Sequence, residues 1–167
     1  EKFNIIDNDK LSENGVMADK TMNTLLHVFE AYTELYRVAK FPEAKEKLMW
    51  IMDTFADKVY NPELHRQEVF FDANWNSIID LHSYGHDIET AWLIDRGVEI
   101  IGEKKYEEKM TPITKDLTAQ IYKIAFDGNS LANECEKVLK RNANGRDNAR
   151  RLLNAASVNG NVSLNKG

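Results

Sequence analysis

The sequence predicts an all-α fold built from helical hairpins. Glycine and proline number only 8 and 3 among 167 residues, and most of the glycines separate long periodic stretches. Within those stretches, apolar residues recur at spacings of three and four, which is the period of a helix with one buried face. Two successive hairpins of this kind are typical of layered helix pairs, as in α-solenoids and α/α toroids.

The first hairpin is predicted in the N-terminal part of the chain. A long amphipathic helix should span about residues 16–39, because apolar side chains keep the helical spacing along this segment. Pro42 suits the first turn of a second helix, which should continue to the break at Asn61-Pro62. Residues 67–72 lose this periodicity, and either a short strand or an extended loop fits them.

The second hairpin should begin at Ser83, whose short polar side chain is favoured at an N-cap. The helix that follows should stop near Gly102, because glycine readily adopts the left-handed conformation that ends helices. Its partner should end at Asp127-Gly128, with Pro112 either opening a segment or kinking it. Beyond this point the chain is rich in Asn and lacks aromatic residues, so we expect a polar helix around residues 146–157 and a loose tail.

Composition and charge exclude several classes of partner. Lys and Arg total 22 against 27 Asp and Glu, and the net charge of −5 leaves no basic surplus for a phosphate backbone or an anionic membrane. Apolar runs such as residues 92–94 are far shorter than the roughly 20 residues of a membrane span. The single cysteine, Cys135, excludes an internal disulfide and suits a reducing compartment. We therefore expect a cytoplasmic protein with neither a nucleic acid nor a membrane as its partner.

Polar and titratable side chains cluster at the predicted start of the third helix. Two histidines, two carboxylates and a tyrosine fall within residues 81–89. His86 and Glu89 are three residues apart, so on a helix their Cβ atoms would be about 5–6 Å apart and the carboxylate could orient the imidazole. Histidine has an unperturbed pKa of about 6.5 and can both take and give a proton near neutral pH. His86 is therefore a candidate acid/base group, with Glu89 beside it.

Two other interpretations fit the same segment. His82, His86 and Glu89 have a spacing that resembles a helical set of metal ligands. However, His82 would lie outside a helix capped by Ser83, and the segment does not match the His-Glu-x-x-His pattern. A capped helix start with hydrogen-bonded histidines also fits. The residues alone leave catalysis, metal binding and this structural role open.

A second candidate pair, Asn23 and His27, lies on the first long helix. The two are four residues apart within a stripe of Leu and aromatic side chains, where a polar group needs a partner. Either both point into a cleft and hydrogen-bond the hydroxyls of a ligand, or they satisfy neighbouring backbone groups. Six aromatic residues could stack on a sugar, although most rings at helical spacing belong to the core: Trp50, Trp75, Trp92, Tyr32, Tyr36 and Tyr84.

Three segments carry a resemblance to a known family. Residues 11–23, 26–36 and 82–89 resemble the N-acylglucosamine 2-epimerase family. The last segment, which reads His-Ser-Tyr-Gly-His-Asp-Ile-Glu, points to the cellobiose branch of that family. The likeness extends from about residue 6 to residue 136. It implies an (α/α)6 barrel with the sugar in a central cleft, of which this chain would be a middle portion.

The resemblance also implies a reaction, the inversion of C2 in a reducing-end sugar. The sugar ring opens, one histidine removes the C2 proton, and another returns it to the opposite face of an enediolate. His86 matches one of these histidines and Glu89 the carboxylate beside it, while Asn23 and His27 match residues that contact the sugar. The substrate would be a β-1,4-linked disaccharide or a hexosamine, and no metal or organic cofactor would be required.

Some parts of the family pattern have no counterpart in this chain. These are the second acid/base histidine, an arginine that stabilises the enediolate oxygen, and two adjacent tryptophans of the cleft. We therefore expect residues 1–136 to form a partial barrel domain and residues 137–167 to be a divergent polar segment of it. The isolated chain should be inactive and should self-associate through exposed inner helices. The alternative is a catalytically silent helical module that binds a carbohydrate or another protein.

Overall fold

A computed structural model describes residues 18–132 and 134–136. The predicted polar helix at 146–157, the segment 137–167 and the first residues of the predicted first helix lie outside the described residues. The described part contains four α-helices in two hairpins, which confirms the all-α class. The helices are α1 (Met22–Ala39), α2 (Pro42–Thr54), α3 (Tyr84–Ile101) and α4 (Lys104–Ile124).

Short strands connect and flank the helices. Each forms an antiparallel pair, in which β1 is bonded to β4, β2 to β3, and β5 to β6. Between residues 67 and 72 the chain alternates between short strands and extended loop, so both interpretations of that segment hold in part. The strands are β1 (Lys20–Thr21), β2 (Tyr60–Asn61), β3 (Arg66–Gln67), β4 (Phe70–Phe71), β5 (Leu81–Ser83) and β6 (Glu134–Glu136).

Helix α1 begins later than the sequence pattern predicts. Thr21 is its N-cap, and the Thr21 hydroxyl oxygen accepts a hydrogen bond from the backbone N–H of Thr24 at 3.1 Å. Just before it, Lys20 and Thr21 pair with β4, and the N–H of Met22 donates to the carbonyl oxygen of Val69 at 2.9 Å. This pairing holds the backbone extended where the apolar spacing alone favours helix.

The other helix boundaries follow the predicted signals, except that α4 ends at Ile124, three residues before the predicted end at Asp127-Gly128. Helix α2 starts at Pro42 and continues into a π-helical turn over Phe55–Val59. The Asn61 side-chain oxygen then accepts hydrogen bonds from two following backbone N–H groups, which confirms the break at Asn61-Pro62. Gly102 ends α3 with a φ of 67°, in the left-handed region. Pro112 does not open a segment, because α4 is continuous through it, and a kink at Pro112 stays a prediction.

The core lies between the two hairpins and receives side chains from all four helices. At the contact between α1 and α3, the Phe29 ring lies against Gly97. A Cβ atom added at Gly97 would lie 2.3 Å from Phe29 Cζ, so glycine is required for this packing. The largest fully buried side chains include Phe29, Phe55, Phe71, Leu48, Ile94, Met110 and Leu117.

No helix in the described ranges is both long enough and apolar enough to cross a membrane.

Candidate active site

Helices α1 and α3 lie side by side and run in the same direction. The start of α1 is hydrogen-bonded to Val69, and the start of α3 to Gln67, only two residues away in the same connecting segment. Toward the other ends of the helices, Arg96 Nε donates a hydrogen bond to Glu34 Oε1 at 3.0 Å. Glu34 and Arg96 each lie twelve residues beyond the first residue of their helix. The two helices are therefore parallel and in register.

This register places the predicted site residues on the two walls of one groove. His27 is seven residues before Glu34, and Glu89 is seven residues before Arg96. Seven residues make two helical turns, so His27 and Glu89 lie at the same level, about 10 Å along the groove from the Glu34–Arg96 pair. Asn23 and His86 lie about one turn nearer the helix starts.

The His86 ring is half-buried, and its Nδ1 atom lies 2.7 Å from the hydroxyl oxygen of Ser83. Ser83 occupies the predicted N-cap position of α3 but makes no side-chain capping bond to the backbone. In the described structure the partner of the ring is therefore the Ser83 hydroxyl and not the Glu89 carboxylate. The sequence pattern indicates only a capping role for Ser83, although its spacing of three residues from His86 is a local signal for a contact with the ring.

His82 has a different environment from His86. It lies in β5, outside α3, as its position before the N-cap predicts. Its Nε2 atom is 2.7 Å from Oδ2 of Asp87, which is only 1% exposed. The other oxygen of Asp87 accepts a hydrogen bond from Gln67 Nε2 at 2.9 Å. These contacts fit the structural interpretation for His82, and among the described residues no three His, Cys, Asp or Glu side chains gather as metal ligands.

Asn23 and His27 lie beside the buried stripe of α1 and not within it. Both are exposed, and His27 Nδ1 lies 3.2 Å from Glu30 Oε2 on the same helix. Each follows a buried position by one residue, and a rotation of about 100° per residue turns it out of the core. The expectation that both sit among apolar side chains is therefore wrong. The buried stripe consists of Met22, Leu26, Phe29 and Thr33.

The indole ring of Trp92 is exposed to solvent beside the groove between α1 and α3. It is 62% exposed, while Trp75 packs edge-to-face on the core ring of Phe71 with centroids 5.3 Å apart. Trp50 is also exposed, so two of the three tryptophans depart from the expectation that such rings are core. The pocket beside Trp92 has a volume of about 310 Å³. It is lined by Glu30, Thr33, Glu34, Trp92, Leu93 and Arg96.

Glu34 and Arg96, which both line this pocket, form an ion pair. Glu34 accepts hydrogen bonds from Arg96 and from Arg37, and these bonds lower the pKa of the Glu34 carboxyl below its ordinary value. The carboxyl therefore stays ionised over the usual pH range, and its bond to Arg96 links α1 to α3 across the groove.

Comparison with known proteins shows what this arrangement is similar to. No family model matches the sequence. The chain is 45% identical over 150 positions to the cellobiose 2-epimerase of Eubacterium cellulosolvens, and 39% identical over 136 positions to that of Ruminococcus albus. These matches cover 80% and 81% of this chain, but only 37% and 35% of the relatives.

Solved structures agree with the sequence matches. A sugar epimerase from a ruminal bacterium superposes with a TM-score of 0.77 at 39% identity, covering 81% of this chain and 35% of that chain. The cellobiose 2-epimerase of Bacillus thermoamylovorans superposes with a TM-score of 0.73 at 45% identity, covering 80% and 34%. The resemblance to cellobiose 2-epimerase is confirmed. The two hairpins are accordingly part of an (α/α)6 barrel, and the chain spans about a third of the cellobiose 2-epimerases that it matches.

Proposed function

We propose that this chain supplies one wall of the active site of a sugar 2-epimerase, with His86 as a group that exchanges the C2 proton. The observation that carries this proposal is the position of His86 in the first turn of α3, at the end of the groove where α1 and α3 both begin. One ring nitrogen is held at 2.7 Å by Ser83, which leaves the other for a substrate. The similarity to cellobiose 2-epimerases supports the choice of reaction.

The proposed reaction needs a base beside C2. When the reducing-end sugar ring opens, C2 lies next to the C1 aldehyde, and its proton becomes weakly acidic because the carbonyl can accept the electron pair. A positioned imidazole suits this step, since its unperturbed pKa of about 6.5 lets it take and return a proton near neutral pH. Removal of the proton gives an enediolate. Return of a proton to the opposite face inverts C2.

The remaining groove residues have roles in binding the sugar. Asn23 and His27 on the α1 wall offer donors and acceptors for sugar hydroxyls, and Glu89 faces them at the level of His27 as an acceptor. The exposed face of Trp92 offers a flat apolar surface on which a pyranose ring can stack. We propose a β-1,4-linked disaccharide such as cellobiose as the substrate, with a hexosamine as the second class.

One wall does not make a complete site. A single histidine reaches one face of C2, so inversion needs a second proton-transfer group on the other face. The relatives are nearly three times as long as the aligned part of this chain, and their remaining length can supply that group. We therefore propose that the 167-residue chain alone has negligible epimerase activity. The single cysteine and the carbohydrate substrate are consistent with a cytoplasmic location.

A segment exchange tests the proposal. Residues 18–136 of this chain would replace the matching third of the cellobiose 2-epimerase of Eubacterium cellulosolvens, and exchange of the C2 proton of cellobiose with deuterium would be measured. We expect the chimera to exchange the proton, and His86→Ala to slow exchange by about 10²–10⁴-fold. His65→Ala is the matched control, because His65 is exposed and bonded to Asp116 on α4. Undiminished exchange in the His86→Ala chimera would contradict the proposal.

A catalytically silent binding module is the competing function. The exposed Trp92 and the polar groove beside it would serve binding alone equally well. Calorimetric titration of the chain with cellobiose, N-acetylglucosamine and mannose would identify the class of ligand. Binding of cellobiose by an exchange-inactive chimera would favour this alternative.

A further inference from the structure

Ser83 is held firmly at the start of the helix that carries His86. It is only 4% exposed, and its backbone lies in β5, where it pairs with Glu134 of β6. Its hydroxyl makes no capping bond to α3. The contact that the hydroxyl does make is the one to His86 Nδ1, at 2.7 Å. This distance is the ordinary length of a strong hydrogen bond to a hydroxyl oxygen.

The neighbouring histidine has a charged partner instead. His82 lies 2.7 Å from the Asp87 carboxylate, and Gln67 donates a further hydrogen bond to Asp87. An ionised carboxylate can only accept hydrogen bonds, whereas a hydroxyl carries no net charge and can accept or donate one. The contact between Ser83 and His86 therefore orients the ring through a single hydrogen bond to an uncharged group.

We propose that Ser83 is a positioning residue that accepts a hydrogen bond from Nδ1–H of His86 and thereby makes Nε2 the atom that exchanges the proton with the sugar. This inference rests on the proposed function. A hydroxyl oxygen can accept this bond both when the ring is neutral and when it is protonated, because Nδ1 carries its proton in both states. The ring therefore keeps one orientation throughout the reaction.

The proton balance follows from this arrangement. The lone pair of neutral Nε2 takes the C2 proton, and the electron pair of the C–H bond passes into the enediolate. The ring becomes an imidazolium with a proton on each nitrogen, while Nδ1–H still donates to Ser83. In the reverse direction the ring gives this proton to C2 from the same face and returns to the neutral form with Nδ1–H. In an inverting turnover the second group protonates the other face of C2, and the Nε2 proton of His86 passes to solvent water, which restores the same neutral form.

The position of the first turn of α3 is fixed independently of Ser83. Asp87 is held by Gln67 and His82, so the backbone next to His86 is anchored on its buried side. Removal of the Ser83 hydroxyl should therefore leave the helix in place and release only the ring of His86. This separation allows the role of the hydroxyl to be measured.

The tautomer of His86 tests the inference directly. Long-range ¹H–¹⁵N NMR spectra of the 167-residue chain would be recorded at a pH where its imidazoles are neutral, with the four histidines assigned by single substitutions. We expect His86 in the Nδ1–H form. Ser83→Ala should shift it toward the Nε2–H form, and Ser83→Thr should restore the Nδ1–H form. Ser130→Ala, which removes an exposed hydroxyl bonded to Asp127, should change nothing at His86.

The outcomes separate this inference from the proposed function. Neutral His86 in the Nε2–H form in the unsubstituted chain would overturn the inference, whether or not the variants fold. An unchanged tautomer in folded Ser83→Ala would also overturn it. In the chimera, Ser83→Ala should slow C2 exchange by up to about 10²-fold, with recovery in Ser83→Thr. If the proposed function were wrong, exchange would instead be undiminished in the His86→Ala chimera. That result does not affect the tautomer measurement, which is made on the unsubstituted chain.

Discussion

His82 and His86, which are four residues apart, differ in their burial and in the charge of their hydrogen-bond partners. His82 is buried and paired with a buried carboxylate, whereas His86 is half-buried, bonded to a hydroxyl and lies at the groove. The difference arises because His82 precedes the helix, in a strand, and His86 follows the first residue of the helix by two positions. The start of α3 lies between the two, so His82 has a structural environment and His86 is a candidate catalytic residue.

The buried carboxylate of Asp87 should be important for stability. We expect Asp87→Asn to reduce the free energy of unfolding by about 1–3 kcal/mol, because the amide cannot accept hydrogen bonds from both His82 and Gln67. Denaturant unfolding followed by circular dichroism measures this loss. Asp19→Asn, at an exposed position, is the matched control and should change stability by less than about 0.5 kcal/mol. Equal effects of the two substitutions would show that the buried network contributes little.

At the scale of elements, the contact between α1 and α3 depends on the absence of a side chain at Gly97. Gly97→Ala would place a Cβ atom 2.3 Å from the Phe29 ring, so the two helices must move apart or the ring must turn. We expect a loss of about 1–3 kcal/mol in the free energy of unfolding. Adding Phe29→Ala removes the clash, so the loss in the double variant should be smaller than the sum of the two single losses. Additive losses would refute a direct steric conflict.

A second contact between elements ties the segment after α2 to α4. The Tyr60 hydroxyl donates to Asp116 Oδ2 at 2.6 Å, and burial together with this carboxylate raises the pKa of Tyr60 to about 12. The unfolded value is about 10, so the stability contributed by this proton is present below pH 10 and is lost as the pH rises toward 12. Burial and a hydrogen bond to Asp53 also raise the pKa of Tyr106, so spectroscopic titration of tyrosinate should show late-titrating groups, and Tyr60→Phe should remove the one near pH 12. Asp116→Asn should lower the pKa of Tyr60.

Most helix boundaries that have a local signal were predictable, although α4 ends at Ile124 and not at the predicted Asp127-Gly128. Pro42, Gly102 and Asn61-Pro62 act through their own backbone geometry, and the structure follows them. The start of α1 was not predictable, because the pairing of Lys20 and Thr21 with β4 joins residues about fifty positions apart. The partner of His86 was partly predictable, since its spacing from Ser83 is local, but the loss of the capping bond depends on the tertiary setting of β5.

For the whole molecule, the sequence named the candidate residues but placed Asn23 and His27 within the apolar stripe of α1, whereas both are exposed beside it. The pattern and the resemblance named His86, Glu89, Asn23 and His27, and the register of α1 against α3 places them on one groove. Their roles in binding and catalysis stay predictions. The resemblance predicts that all four residues open onto one cleft. The residue pattern alone could not supply the register of α1 against α3, because that register depends on the packing of two helices that are far apart in the sequence.

The isolated chain should be inactive and should self-associate. Several large apolar side chains are exposed on the described helices and next to their ends, and contiguous apolar surface favours association. We expect sedimentation velocity to show dimers or larger species and conversion of cellobiose to glucosyl-mannose to be undetectable. Conversion that His86→Ala abolishes would contradict this expectation, and His27 would then be the first candidate for the second proton transfer. The exposed side chains include Val38, Phe41, Trp50, Trp92, Tyr122 and Phe126.

The pairing of β5 with β6 has a consequence for when the site can form during folding. The bond between Ser83 and His86 spans three residues, yet the strand that holds Ser83 is completed by Glu134–Glu136, about fifty residues later. A nascent chain can wind α3 as soon as that helix has left the ribosome. It can fix the serine only after the second hairpin is complete and the chain has returned to β5. We therefore expect the orientation of His86 to be set late in folding, although a close neighbour in the sequence sets it.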